Sequence, residues 1–165
     1  MALESLKDTI SPQALTFLTA MIPFTELRGA IPFGIGVLKL PAIDAFFWAT
    51  LGNLVPNFIL LAVLEPITNF FRKYSKFCNR IITKIFDKTR TRHSEKFDKY
   101  GALFLILFVA IPLPGSGGWS ASMVAHLFGV KYWKAVLLIS LGIAIAGVLI
   151  TFSFEFIVHL LKSVI

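Results

Sequence analysis

The chain has 165 residues, of which 56% are hydrophobic and only 15% are charged, and its net charge is +7. Because a soluble domain carries about 25% charged residues, this composition excludes an ordinary water-soluble domain. It predicts an all-α integral membrane protein that forms a single domain over residues 1–165. A single cysteine, Cys78, excludes an internal disulfide, and the sequence contains no Cys/His cluster typical of a metal site.

The first predicted element is a broken apolar stretch from Ala14 to Leu40, interrupted by Pro23, Gly29 and Pro32. Each of its two apolar pieces has roughly a dozen residues, which as helix extend only about 18 Å, or half of the hydrocarbon core. We therefore expect a re-entrant helical hairpin with these three residues as breakers. Its broken backbone must be satisfied by protein or by a water-filled cavity.

Two charges, Glu26 and Arg28, lie at the centre of this hairpin. A charge near the bilayer centre costs roughly 2.5–3.5 kcal/mol on insertion scales. Residues two apart do not share a helical face, but an unwound segment between Pro23 and Pro32 would let them converge. The pair is interpreted as a protonatable carboxylate beside a cation on a substrate path. An ion pair that locks the hairpin, or a hairpin lying shallow in the interface, are the alternatives.

A continuous apolar stretch from Ala42 to Glu65 predicts the first spanning helix, because it exceeds the roughly 20 residues needed to cross a bilayer. Asn53, Pro56 and Asn57 suggest a kink packed inside the protein. The two asparagines lie one helical turn apart and must find partners away from lipid. We expect interhelical hydrogen bonds, with both side chains directed toward the hairpin tips.

A basic segment over residues 67–100 follows, and ten of the sixteen Lys and Arg lie between Arg72 and Lys99. Its apolar residues recur at helical spacing, which predicts an amphipathic helix against anionic headgroups. Excess Lys and Arg in a short loop is retained on the cytoplasmic side. This membrane setting disfavours nucleic acid as a partner.

The second broken stretch runs from Gly101 to Val130, and its expected breakers are Pro112, Pro114, Gly115, Gly117 and Gly118. The turn carries no charge, but the hydroxyls of Ser116, Ser120 and Ser122 and the following helix N-terminus could hold an anionic headgroup or simply pack closely. Trp119 could close a cavity or act as an interfacial anchor. His126 could join a proton relay, although a lone histidine is more often structural.

The last apolar stretch, Trp133 to Leu161, predicts the second spanning helix, in which Gly142 and Gly147 allow close helix approach. Glu155 and His159 near its end are expected at headgroup level, without a function.

The two halves of the chain resemble each other, with residues 10–66 and 101–162 as the predicted repeats. Ile22-Pro23 corresponds to Ile111-Pro112 at an offset of 89, and Leu51-Gly52 corresponds to Leu141-Gly142 at an offset of 90. If the basic segment is cytoplasmic, the hairpins open toward opposite sides. The sequence therefore predicts an inverted repeat, an architecture common in secondary transporters.

The pairing of TELRGAIP with a later IPLPGSGGWSA, separated by a basic segment ending in KYG, closely resembles the putative small multidrug export protein family. More distantly, the chain is similar to the DedA/VTT superfamily of re-entrant-hairpin membrane proteins. The resemblance implies two facing hairpins that move small amphipathic molecules or lipids, with the acidic and arginine positions of the family at Glu26 and Arg28.

These observations predict a secondary transporter, coupled to protons, for a small amphipathic substrate in the prokaryotic plasma membrane. Its site residues are the substrate and proton pathway of Glu26, Arg28, Asn53, Asn57, Ser116, Trp119 and His126. Alternatives are an anionic phospholipid or polyprenyl-phosphate flippase or scramblase, and a non-transporting structural protein. We expect no enzyme activity, no cofactor and no metal. The mass of 18.3 kDa is compatible with a homodimer.

Overall fold

The computed structural model describes residues 10–74, 79–80, 83–84, 100–111 and 115–164. Every regular element in these ranges is a helix, which confirms the all-α prediction. In chain order the helices are α1 (Pro12–Met21), α2 (Glu26–Pro32) continuing as a π-helical turn (Phe33–Val37), α3 (Ala42–Tyr74), α4 (Tyr100–Ala110), α5 (Gly118–Leu127) and α6 (Tyr132–Val164). Most of the predicted basic segment, with Cys78, Pro112 and Pro114, lies outside the described residues.

Helices α3 and α6 have 33 residues each and are long enough to cross a membrane. Their most apolar windows have mean hydropathies of 1.7 and 2.6, yet only 28% and 39% of those windows are buried within the protein. The core helix of a soluble protein would be mostly buried. These two helices instead expose large apolar side chains, among them Phe47, Ile59, Phe152 and Phe156, as a lipid-facing surface requires.

Helix α3 extends further than the sequence predicted. The spanning helix was expected to end at Glu65, immediately before Pro66, but it continues to Tyr74. A proline removes one intrahelical hydrogen bond. The helix nevertheless continues through Pro66, so the loss of this one bond does not end it. The start of the predicted basic segment is thus the end of α3.

The chain divides into two compact units, of which the first comprises Met1–Pro56 and Ile143–Ile165. Here α1, a turn over residues 22–25 and α2 form a helix pair. Its core contains Leu38, Leu40 and Ala45, against which Leu15, Phe33 and Ile35 pack. Gly52 of α3 lies directly against the Phe17 carbonyl of α1, so close that an added methyl group would overlap it.

The non-helical segment between α1 and α2 is shorter than predicted. Pro23 lies in the turn as expected, but Gly29 and Pro32 lie inside α2, so they are not breakers and the segment from Glu26 is helical rather than unwound. Pro32 instead marks the point where the helix widens into the π turn, in which the Leu38 N–H donates to the Phe33 carbonyl at 3.0 Å. A proline is accommodated by such local widening when neighbouring backbone groups find new partners.

The second unit comprises Asn57–Gly142 and contains α4, α5, the second part of α3 and the first part of α6. Gly115 lies in the turn before α5 with φ of +82°, Gly117 caps that helix and Gly118 is its first residue, in agreement with a break here. Gly142 of α6 lies against α4, where an added methyl carbon would come within 2.9 Å of the Ile106 carbonyl oxygen.

Helix positions in the two halves correspond at the offsets found in the sequence. Helices α3 and α6 begin at Ala42 and Tyr132, a difference of 90. The glycine contacts correspond too, because Gly52 meets Phe17 whereas Gly142 meets Ile106. The same helix packing therefore occurs in both halves.

Candidate functional site

Glu26 is the one carboxylate among the buried side chains of the described residues, with 6% of its surface exposed. It begins α2 directly after the turn, and its N–H donates to the Ile22 carbonyl at 3.0 Å. The Thr25 hydroxyl donates to the Thr19 carbonyl at 2.7 Å and so ties the turn to the end of α1. These bonds fix the backbone at the hairpin tip, and with it the start of the Glu26 side chain.

The backbone of Glu26 is strained. Its φ is +44°, in the left-handed region that non-glycine residues rarely occupy. Such a conformation costs on the order of 1–3 kcal/mol and persists only where the surrounding structure determines it. A buried acid therefore occupies a backbone position that glycine would fill at lower cost.

Arg28 lies on the same short helix and is half-buried. The neighbouring residues Leu27, Ala30 and Ile31 are buried and apolar. The two charged residues predicted from sequence thus lie in one helix with an apolar face, although not in the unwound segment that was expected to bring them together.

Two further buried polar residues belong to the first unit. Asn53 on α3 is buried, as the sequence predicted for an asparagine in a spanning helix. Thr16 on α1, which sequence reasoning missed, is fully buried, and its hydroxyl donates to the Pro12 carbonyl at 2.9 Å. A helical threonine that bonds its own helix resembles an apolar core position in sequence, so only packing identifies it.

In the second unit Asn57 packs against the start of α5. Asn57 is 1% exposed, and its Oδ1 accepts from the Ser122 hydroxyl at 3.2 Å. Gly118 leaves the space that this amide fills, because an added methyl carbon would lie 2.7 Å from the Asn57 Cγ and closer still to Nδ2. The predicted interhelical hydrogen bond of Asn57 is confirmed, with Ser122 as a partner not foreseen.

The turn before α5 contains the other predicted residues of this unit. Ser116 is buried, and its hydroxyl donates to the Ile111 carbonyl at 2.8 Å, which joins the end of α4 to the turn. Trp119 is half-buried on the first turn of α5. Ser116 thus has a structural bond, and its predicted part in a pathway stays a prediction.

His126 lies near the end of α5, where its Nε2 is 2.9 Å from the Thr68 hydroxyl of α3. Thr68 has one hydroxyl proton and places it on the Leu64 carbonyl at 2.7 Å. With that proton on Leu64, the Thr68 oxygen accepts from the imidazole in the tautomer that carries its proton on Nε2. Sequence reasoning missed Thr68, although its spacing from Glu65, Asn69 and Arg72 marks one helical face.

The described ranges contain no group of three His, Cys, Asp or Glu residues positioned to hold a metal ion. The polar groups that they do contain are spread through an all-helical chain whose two longest helices expose apolar side chains. The fold and these groups define a small helical membrane protein.

More particularly, the chain belongs to the family described as "Putative small multi-drug export protein", whose family model matches residues 26–149. The match confirms the resemblance drawn from the two motifs, and the family description agrees with a transporter. Searches of curated proteins and of solved structures gave no match. The more distant likeness to the DedA/VTT superfamily stays a prediction.

Proposed function

We propose that the protein is a proton-coupled secondary transporter that exports a small amphipathic substrate across the prokaryotic plasma membrane, with Glu26 as the proton carrier. The observation that carries the proposal is the strained and buried position of Glu26. At the corresponding position, 89 residues later, the second half has Gly115, also with positive φ. Because glycine satisfies this backbone, the fold alone does not require an acid there.

In this scheme the Glu26 carboxylate takes up a proton on one side of the membrane and releases it on the other. Arg28, two residues further on the same helix, either stabilises the charged carboxylate or binds an anionic group of the substrate. Each transport cycle returns both side chains to their starting charge, so the proton gradient supplies the driving force. No cofactor or enzymatic step enters the scheme, and a homodimer remains compatible with it.

Alternating exposure of Glu26 follows if the halves are inverted repeats with re-entrant hairpins, which we also propose. Support comes from the matched starts of the two long helices and from the matched glycine contacts. The positive-φ residues Lys39 and Gly129, which precede the two long helices, match at the offset of 90. Phe24 at the tip of the first hairpin is 97% exposed, as expected of a turn that contacts lipid or another apolar surface.

Coupling is tested by Glu26→Gln in protein reconstituted into liposomes. We expect this variant to fold and to retain exchange without a gradient, but to lose uptake driven by a pH gradient. Glu155→Gln is the matched control, because Glu155 is an exposed carboxylate on α6. Uptake at the wild-type rate by a folded Glu26→Gln variant would exclude Glu26 as the carrier.

A structural ion pair is distinguished by Glu26→Ala combined with Arg28→Ala. Breaking one side of a buried pair typically costs about 3–5 kcal/mol, whereas removing both partners can be nearly neutral. We expect the double variant to recover stability without recovering transport. If it recovers both, the pair has no role in the transport path.

Topology is tested by single-cysteine labelling on a Cys78-free background. Positions near Lys84 should react only from the cytoplasmic side, and positions near Leu40 only from the opposite side. Labelling of both from one side contradicts the inverted repeat.

The second candidate function is a lipid flippase or scramblase, which the basic side chains at the end of α3 favour. Loss of leaflet asymmetry of a labelled lipid in the same liposomes, with no dye transport, would select it. If neither substrate moves, the chain is a non-transporting membrane protein.

A further inference from the structure

A polar cavity of about 340 Å³ lies in the second unit, between the end of α3 and the turn that joins α5 to α6. Its polar lining residues are Glu65, Thr68, Asn69 and Arg72 from α3, together with His126 and Lys131. None of these except His126 belongs to the pathway considered above. The cavity is large enough for a small polar group and its hydration.

The α3 side of the cavity is one polar stripe on an otherwise apolar helix. Glu65, Thr68, Asn69 and Arg72 follow the spacing i, i+3, i+4 and i+7, which aligns them along one face. On the opposite face of α3, side chains such as Ile67 and Phe70 are exposed and apolar. A stripe of this kind in a membrane helix requires polar or charged neighbours, and the cavity provides them.

The lining favours an anion. Two cationic side chains, Arg72 and Lys131, face a single carboxylate, Glu65. The Thr68 hydroxyl is fixed by its bonds to Leu64 and His126, so the imidazole is held in place at the wall. A guanidinium fork pairs with two oxygens of a phosphate, and a lysine adds a compact positive charge.

The depth of the cavity also agrees with a headgroup. Thirty-three residues of helix extend about 50 Å, well beyond a hydrocarbon core of about 30 Å. The polar stripe lies in the final part of α3, next to the basic segment. It therefore falls at the level of the headgroups if the apolar part of α3 spans the core.

A second cavity of about 370 Å³ adjoins the same turn, and its wall combines apolar residues such as Leu105, Phe128 and Leu138 with Lys131 and Lys134. Lys131 lines both cavities. An amphipathic molecule could thus place its charged group on one side of the turn and an apolar segment on the other.

The corresponding positions in the first unit, which come from the π turn after α2 and from α6, differ from those of this cavity. At the offset of 90, Glu65, Asn69 and Arg72 correspond to Glu155, His159 and Lys162, so the acid and the base recur. His126 and Thr68, however, correspond to Gly36 and Val158, which cannot form the same hydrogen bond. Of the two units, only the second therefore has this histidine–threonine bond.

We propose that the polar cavity binds the phosphate group of an anionic amphipath, held by Arg72 and Lys131. The site does not depend on transport through Glu26. Its ligand chemistry is shared by a lipid phosphate and by free phosphate, and the apolar side chains in the wall of the adjoining cavity favour the lipid.

The proposal is tested with purified full-length protein in uncharged detergent. Thermal unfolding is measured with added phosphatidic acid, with phosphatidylcholine, and with inorganic phosphate. Bound phosphatidic acid is also counted directly by native mass spectrometry. We expect phosphatidic acid to raise the unfolding temperature and phosphatidylcholine to leave it unchanged, because a ligand that binds only the folded state stabilises it.

Arg72→Gln and Lys131→Gln should each weaken phosphatidic acid binding by about tenfold or more, since each removes a charge-assisted contact. Lys73→Gln, which removes the same charge in the same helical turn but outside the cavity, and Lys162→Gln, at the position that corresponds to Arg72, should leave binding unchanged. Arg72→Lys keeps the charge without the fork and should give an intermediate affinity, which also guards against misfolding of Arg72→Gln.

Stabilisation by inorganic phosphate as well as by phosphatidic acid would support recognition of the phosphate itself, and stabilisation by phosphatidic acid alone would support recognition that needs the apolar segment. The proposal is overturned if neither ligand stabilises the protein, or if all four charge-removing variants lose binding to the same extent. Neither result would affect gradient-driven uptake through Glu26, so the two proposals can fail separately.

Discussion

The first half of the chain places Glu26 and Lys39 at the two backbone positions where the second half has Gly115 and Gly129, and all four residues have positive φ. The backbone geometry is shared, but only the second half uses the residue that adopts it without strain. The positive φ is therefore a requirement of the shared fold, whereas the side chains of Glu26 and Lys39 are particular to the first half.

A second contrast concerns where each half places its polar groups. The first half carries its buried acid at the hairpin tip, whereas the second half has an uncharged tip and a histidine bonded to α3 at the opposite end of α5. Packing is similar in both, since Gly52 admits α1 and Gly142 admits α4. The halves share a packing arrangement and differ in the charges placed on it.

The largest stability effect is expected where that shared packing is tightest. Gly52→Ala forces a methyl group into the Phe17 backbone, and Gly142→Ala forces one against Val109 and the Ile106 carbonyl. Backbone cannot move aside as a side chain can, so we expect losses of about 3 and about 2 kcal/mol in the free energy of unfolding. Denaturation in mixed micelles measures both.

Gly36→Ala is the matched control for these substitutions. Its methyl carbon would meet only the end of the Phe154 ring, at 3.3 Å, and should change stability by about 0.5 kcal/mol at most. Equal losses at all three glycines would contradict the correspondence of the two helix contacts.

A smaller effect is expected at Gly118, which has no equivalent crowding at Gly29. Gly118→Ala overlaps the Asn57 amide and should cost about 2 kcal/mol. Asn57→Ala removes the obstacle, so the double variant should lose less than the sum of the single losses, by about 1 kcal/mol. Strict additivity in the same unfolding assay would show that the contact is not the cause.

Backbone strain gives the smallest effect. Nothing lies within 4 Å of a methyl group added at Gly115, so Gly115→Ala should cost about 1 kcal/mol through its φ of +82° alone. Lys39→Gly should stabilise the protein by about 0.5 kcal/mol, because relief of strain exceeds the added freedom of the unfolded chain. If Gly115→Ala and Lys39→Gly both lower the free energy of unfolding, the backbone strain assigned to Lys39 is wrong.

Much of the fold could be predicted from the apolar composition and from helix-breaking proline and glycine residues. Two stretches of continuous apolar residues predicted the two long helices, and Pro23 and Gly115 predicted turns, because a missing N–H or a positive φ acts locally. Gly29, Pro32 and Pro66 were misleading, since the same residue types are tolerated inside α2 and α3, where the loss of one backbone bond does not end the helix.

The candidate site was predicted less completely. Charged or amide side chains in an apolar stretch are conspicuous, which is why Glu26, Arg28, Asn53 and Asn57 could be selected from the sequence. Thr16 and Thr68 could not, and the bond of Ser122 to Asn57 was not foreseen, because only the positions of neighbouring residues distinguish a bond across helices from a bond within one. The spacing of Glu65, Thr68, Asn69 and Arg72 was available but crossed the boundary that Pro66 suggested.

The division of the chain into units also sets an order of assembly during synthesis. The second unit is one uninterrupted segment, Asn57–Gly142, whereas the first needs Ile143–Ile165 as well as the N-terminal residues. Within the first unit, Gly147 accommodates Phe46 and Thr50, residues made much earlier by the ribosome. Since domains form as their residues emerge, the helix pair that carries Glu26 is translated first, but its Gly36 meets Phe154 only after α6 has been made. A nascent chain halted before α6 would therefore lack Gly147, against which Phe46 and Thr50 of α3 pack.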